Sequence, residues 1–161
     1  MSRALPAPST RLLQFFALGS ALSTYILILI GGYVTTSGSG LGCGDSWPLC
    51  SGSVFPNLND PAQVIEFSHR LFNIVVAFFV LGTLLLAWTR YRRTGTLVLF
   101  STIGSFGLLA QVVLGMFTVT TSLNPIVSAA HLALATAVFA VLVVNAVLAR
   151  IIGHKLIEVV P

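Results

Sequence analysis

Charged residues are scarce in this chain. They make up 7% of its 161 residues, and only four residues are acidic, whereas an ordinary soluble domain is about 25% charged. Hydrophobic residues make up 56%, and the mean hydropathy is +0.98. This composition excludes a typical soluble protein and predicts one that lies in a lipid bilayer. The length allows one domain, residues 1–161, and no separate soluble domain.

The chain also lacks a basic patch. Its formal net charge is +4, but the basic residues are spread over the ends of the apolar segments instead of being clustered on one stretch. This arrangement argues against nucleic acid as a partner. It favours contact with lipid headgroups at the two surfaces of a membrane.

Four apolar segments are long enough to cross a bilayer as helices, which takes about 20 residues each. The first exceeds the roughly 7–15 apolar residues of a signal peptide, so we expect it to be a permanent helix. The predicted fold is therefore an all-α membrane protein, a four-transmembrane-helix bundle with a long loop between helices 1 and 2. The predicted helices are Leu12–Val34, Ile65–Trp88, Leu97–Val119 and Ile126–Ile152.

Two connections contain no Lys or Arg, and this absence predicts the orientation. They are the first, Thr35–Val64, and the third, Thr120–Pro125. Positive residues favour the cytoplasmic side, so we expect both termini to be cytoplasmic and the long loop to lie outside. A long cleavable presequence is missing, which favours a prokaryotic cell membrane. The basic residues at the cytoplasmic ends are Arg3, Arg11, Arg90, Arg92, Arg93, Arg150 and Lys155.

Histidines are few, and two of the three occupy matching positions. The sequence V-T-T-S ends both the first and the third helix, and each is followed by a helix with a histidine near its start, His69 or His131. The chain therefore resembles two helical hairpins. Both rings are expected roughly 6–8 Å below the outer helix ends. Such a pair suits the two axial positions of one heme iron, and ionisable residues inside membrane helices tend to be functional. The alternative is that each imidazole hydrogen-bonds a neighbouring helix.

Both cysteines, Cys43 and Cys50, fall in the outward loop. A disulfide is chemically allowed on that side of the membrane, either as a staple for the loop or as a reversible redox pair. The C-x-x-C-H motif for covalent heme attachment is absent, so a bound heme would be held without a covalent bond.

Three polar residues accompany the histidines. Glu66 precedes His69 by three residues and shares its helical face. It is expected to complement the helix dipole from the first turn, to pair with Arg70, or to stand beside a ligand of His69. Arg70 either pairs with Glu66 or binds a heme propionate. Gln111, inside the third helix, is expected to hydrogen-bond a neighbouring helix.

These motifs together resemble the heme A synthase family. The resemblance rests on T-S-G-S-G-L-G-C at 36–43, W-P-L-C at 47–50 and E-x-x-H-R at 66–70. Gln111-x-x-Leu114-Gly115 and Ala130-His131-Leu132 add to it. It extends from about Gly31 to Leu134.

The resemblance implies a membrane oxidoreductase that converts the methyl group of heme O to the formyl group of heme A, for cytochrome oxidase assembly. By position, His69 and His131 would be the heme iron ligands and Glu66 the catalytic acid. Arg70 and Gln111 would help to bind the heme, and Cys43 and Cys50 would form the outward disulfide.

Members of that family have eight helices in two related halves, and this chain resembles the first half. We therefore expect a homo-oligomer, with heme b as a further candidate cofactor and the heme O-producing enzyme as a candidate partner. Two other classes stay open. A heme-b electron carrier would need His69 and His131 but neither Glu66 nor the cysteines, and a transporter or assembly subunit would bind no heme.

Overall fold

A computed structural model describes residues 10–158, and their side chains as far as residue 153. Arg3, which entered the orientation prediction, lies outside this range. The described residues form four long helices: α1 (Thr10–Thr36), α2 (Pro61–Arg90), α3 (Gly95–Thr120) and α4 (Pro125–Glu158). All four are long and apolar enough to cross a membrane. The predicted four-helix membrane bundle is confirmed.

The second helix begins four residues earlier than the sequence predicts, at Pro61 instead of Ile65. Its N-cap is Asp60, whose side chain accepts hydrogen bonds from the backbone N–H groups of Ala62 at 3.0 Å and Gln63 at 3.4 Å. An N-cap aspartate followed by proline is a strong helix start, because proline has no N–H to leave unpaired there. The extra turn shortens the loop between α1 and α2 to residues 37–60.

The four helices pack in chain order around a square. Each contacts the next along the chain, and α1 also contacts α4. Small residues make this close packing possible: a Cβ on Gly19 would strike the Phe79 ring, and one on Gly82 would strike the Phe16 ring. Large apolar side chains instead cover the outer surface, where lipid is the compatible solvent. Among the most exposed are Leu85, Phe106 and Ile126.

The two hairpins repeat one another beyond the V-T-T-S sequence. In the first, Ser20 of α1 hydrogen-bonds Thr83 of α2 at 3.2 Å. In the second, Ser101 of α3 donates to Asn145 of α4 at 3.4 Å. Thr83 and Asn145 each lie fourteen residues after the histidine of their own helix. The partners on α2 and α4 therefore fit the predicted repeat, whereas Ser20 and Ser101 are not in equivalent positions, since they lie eleven and fourteen residues before Gly31 and Gly115.

Candidate functional site

Each of the two histidine rings packs against a glycine of the neighbouring helix. A Cβ on Gly31 of α1 would lie 3.0 Å from Cε1 of His69, and a Cβ on Gly115 of α3 would lie 3.3 Å from Cε1 of His131. Each glycine lies five residues before the end of its helix, or about 8 Å along the axis. Measured from the ends of α1 and α3, the two rings therefore lie at similar levels.

Measured from their own helices, the two histidines are deeper than expected. His69 lies eight residues after Pro61, and His131 lies six residues after Pro125. These separations correspond to about 12 Å and about 9 Å, against the predicted 6–8 Å. The helix α2 begins four residues earlier than predicted, because Pro61 and Gln63 interrupt the apolar pattern, and α4 begins one residue earlier, at Pro125.

Each imidazole has one buried nitrogen without a hydrogen-bond partner among the described residues. These atoms are Nδ1 of His69 and Nδ1 of His131. A buried polar atom without a partner is costly. The arrangement therefore fits a group that ligates imidazole nitrogen, and a porphyrin-bound iron needs only two such ligands from the protein.

Gln111 fixes the helix that carries His131. Its side chain is buried, and Nε2 donates to the backbone carbonyl of His131 at 3.0 Å. The predicted interhelical hydrogen bond is thus present. Its other end, Oε1, is buried without a partner among the described residues. Gln111 therefore adds an acceptor to the set of unpaired polar atoms near the histidines.

Glu66 is nearly fully buried, with 3% of its surface exposed. Its Oε2 accepts a hydrogen bond from the backbone N–H of Cys43 at 2.8 Å, and its Oε1 forms an ion pair with Arg70. The predicted pairing with Arg70 is confirmed. The expected place in the first turn is wrong, because the helix already begins at Pro61 and its first turn contains no acidic residue.

Arg70 joins the helix to the outer loop. Besides the ion pair with Glu66, its Nη1 donates to the backbone carbonyl of Leu49 at 3.0 Å and to that of Ser46 at 3.2 Å. It also lies 3.5 Å from the carbonyl of Pro48. The loop is therefore bound to α2 by a charged group that also contacts the buried carboxylate.

The cysteine loop is compact and closed. Cys43 and Cys50 form the predicted disulfide, and both are buried. A Cβ on Gly42 would collide with the backbone of Ala62, so only glycine allows the loop to lie directly on the first turn of α2. Gln63 adds a contact that no sequence pattern indicates: its Oε1 accepts a hydrogen bond from the Asn57 N–H at 2.9 Å.

The two hairpins differ at the position of Glu66, because the second hairpin has no acidic residue there. Applying the spacing of the two histidines to Glu66 and Arg70 leads to Ser128 and Leu132 in the second hairpin. That hairpin therefore supplies a histidine but no carboxylate and no guanidinium. Both hairpins therefore contribute an imidazole to the site, but only the first hairpin contributes charged side chains.

The fold and site define a four-helix membrane protein with one histidine in each hairpin and one buried carboxylate. Residues 14–156 match the COX15-CtaA family, described as cytochrome oxidase assembly protein. The chain belongs to this family.

Proteins named heme A synthase are among its relatives. The one from Bacillus pumilus (strain SAFR-032) is 38% identical over 80% of this chain and 43% of its own length. The one from Lysinibacillus sphaericus (strain C3-41) is 33% identical over 81% of this chain and 42% of its own length. The chain thus spans less than half the length of these relatives.

Proposed function

We propose that this chain is a heme-modifying membrane oxidoreductase that converts the methyl group of heme O to the formyl group of heme A. The observation that carries the proposal is the combination of two imidazoles with buried, unpartnered nitrogens and a buried carboxylate one helical turn from His69. Family membership and the similarity to proteins named heme A synthase support it.

In this proposal His69 and His131 hold the heme iron, and the iron-bound macrocycle supplies the redox chemistry when it is present. Gly31 and Gly115 leave the space in which the two rings stand. Gln111 fixes the His131 backbone. The guanidinium of Arg70 is engaged by Glu66 and by the loop carbonyls of Ser46 and Leu49, so this proposal gives it no contact with the heme propionates.

Glu66 is the proposed catalytic residue. Turning the methyl into a formyl group is a four-electron oxidation. With water as the oxygen source it releases four protons, and an external electron acceptor must take up the four electrons. A fixed carboxylate in a buried site stabilises the positive charge that this oxidation develops at the reacting carbon. The burial of Glu66 and its two separate partners support this role.

The heme-b carrier is less well supported. A carrier needs only the two histidines, whereas here a buried carboxylate, an arginine and a disulfide loop are joined beside them. We also propose that both termini are cytoplasmic and the cysteine loop lies outside, because the loop between α1 and α2 lacks Lys and Arg. Heme b as a further cofactor and the heme O-producing enzyme as a partner belong to the same proposal.

The first test is the identity of the bound heme. Protein purified from a heme O-producing host is expected to give heme O or heme A on pyridine hemochrome spectra and acid extraction. His69→Ala and His131→Ala should each lower heme occupancy or change the spin state. Heme B alone in the wild type would favour the carrier, and a spectrum unchanged in both variants would reject the ligand assignment.

A further inference from the structure

We propose that Arg70 is a positioning residue, which together with the Cys43 N–H holds the Glu66 carboxylate in one orientation. The closed cysteine loop is then part of the active arrangement. This inference rests on the proposed role of Glu66. It assigns a positioning role to the Arg70 guanidinium and the Cys43 N–H, neither of which takes part in the reaction itself.

The carboxylate is held at both oxygens by groups from different parts of the chain. Oε2 accepts from the Cys43 N–H at 2.8 Å, across 23 residues of sequence. Oε1 pairs with Arg70, one turn along α2. Contacts at both oxygens fix the rotation of the carboxylate plane as well as its position. Charged hydrogen bonds of this kind are among the strongest in proteins.

Arg70 can perform this task because its guanidinium has several donors in a fixed plane. One nitrogen, Nη2, contacts Glu66, while the other, Nη1, donates to the loop carbonyls of Ser46 and Leu49. Lysine would keep the charge, but its ammonium is a compact point charge and could not contact Glu66 and the loop carbonyls at the same time. The side chain is only 15% exposed, so water does not replace these contacts easily.

The Cys43 donor is also held in place. The disulfide to Cys50 closes the loop, and both cysteines are buried. The chain beside Cys43 lies directly on α2, because Gly42 packs against the Ala62 backbone. A change in the loop therefore reaches the carboxylate without passing through the histidines.

The test compares Arg70→Lys and Arg70→Gln with the wild type in the full chain. Arg90→Gln is the matched control, since Arg90 is an exposed arginine at the opposite end of the same helix. We expect normal heme loading in both Arg70 variants and an unchanged KM for heme O. The kcat per heme-loaded protein should fall about a hundredfold, as small misplacements of reacting groups do. Lysine should not restore it, and Arg90→Gln should behave as wild type.

A second measurement reports on the same contacts without using the activity. Dithiothreitol reduces the disulfide to two thiols and is itself oxidised to a cyclic disulfide. We expect the Cys43–Cys50 bond to be reduced about tenfold faster in Arg70→Gln and in Glu66→Gln than in the wild type, because each variant loses a buried charged contact to the loop.

The two measurements separate the possible failures. If Glu66→Gln abolishes conversion but both Arg70 variants keep the wild-type kcat, the positioning role is overturned and the proposed function stands. If the wild type converts no heme O, the proposed function fails, and the reduction rates still decide whether Arg70 holds the loop. Wild-type reduction rates in both Arg70→Gln and Glu66→Gln would overturn the inference on their own.

Discussion

Gly31 and Gly115 set the space in which the histidine rings stand. Neither has a positive φ, so glycine matters at these positions because it has no side chain, and not because of its backbone conformation. A Cβ at Gly31 would already lie 3.0 Å from the His69 ring, closer than ordinary van der Waals contact. The neighbouring Gly32 has nothing within 4 Å of such an atom. Two adjacent glycines of one helix therefore differ sharply in what they can accept.

Gly31→Val is expected to displace the His69 ring and weaken heme binding. Forcing a larger side chain into a packed position costs typically about 1–3 kcal/mol, which corresponds to roughly 5- to 150-fold in affinity if the whole cost falls on heme binding. Gly32→Val is the matched control and should bind heme as the wild type does. Titration of heme into the purified variants, followed by the Soret band, measures the difference. Equal affinities for the two variants would contradict the account of Gly31.

At the scale of the elements, α2 carries most of the site. It presents Glu66 and, one turn later, His69 and Arg70, and Gln63 near its start accepts a hydrogen bond from the loop residue Asn57. The helix and loop therefore form one structural unit, and the disulfide lies at its centre. Closing a loop of this size stabilises a protein by about 2–3 kcal/mol in the chain-entropy account.

This arrangement predicts that the disulfide is intact in active protein. Alkylation under non-reducing conditions, followed by mass spectrometry, should find neither Cys43 nor Cys50 modified. After denaturation and reduction both should be alkylated, which is the control for reagent access. Two alkylated thiols in active protein that was never reduced would show that activity does not need the disulfide.

The sequence predicts the elements well and their contacts less well. Long apolar runs give all four helices, because a membrane span needs a length that few other structures reach. The start of α2 is missed because P-A-Q-V at 61–64 is not a continuous apolar run. The signal that identifies it is the Asp60-Pro61 pair.

The contacts of Glu66 show the limit of such reasoning. Its pairing with Arg70 follows from helical spacing, and it is observed. Its bond to the Cys43 N–H joins residues on opposite sides of a loop. No pattern within a single segment contains that information. The same holds for the glycines beneath the two imidazoles, because each belongs to a different helix from the ring that it contacts.

The four helices of one chain contribute two histidines, His69 and His131, and one acidic residue, Glu66, to the candidate site. The relatives named heme A synthase are more than twice as long as the matched region. We propose that copies of this chain associate, since two copies would place eight helices together. The exposed apolar side chains that line the helices are compatible with contact to lipid or to another copy.

Native mass spectrometry in mild detergent tests this association. We expect a dimer, or a larger ring, to be the form that carries heme and activity. The same preparation in a harsher detergent that separates the copies serves as the control. Full activity in a strictly monomeric preparation would refute the proposal.

In the proposed mechanism, Glu66 acts on the reacting methyl group while the two histidines hold the heme. Glu66→Gln keeps the shape of the side chain and removes its charge. Heme extraction and chromatography from cells that express this variant are the direct measurement. Asp45→Asn is the control, because Asp45 is an exposed acid of the same loop.

We expect Glu66→Gln protein to fold, to load heme and to accumulate heme O, with conversion to heme A reduced about a hundredfold or more. Asp45→Asn should give the wild-type yield of heme A. A normal yield of heme A from Glu66→Gln would contradict the account and move the chemistry to another residue.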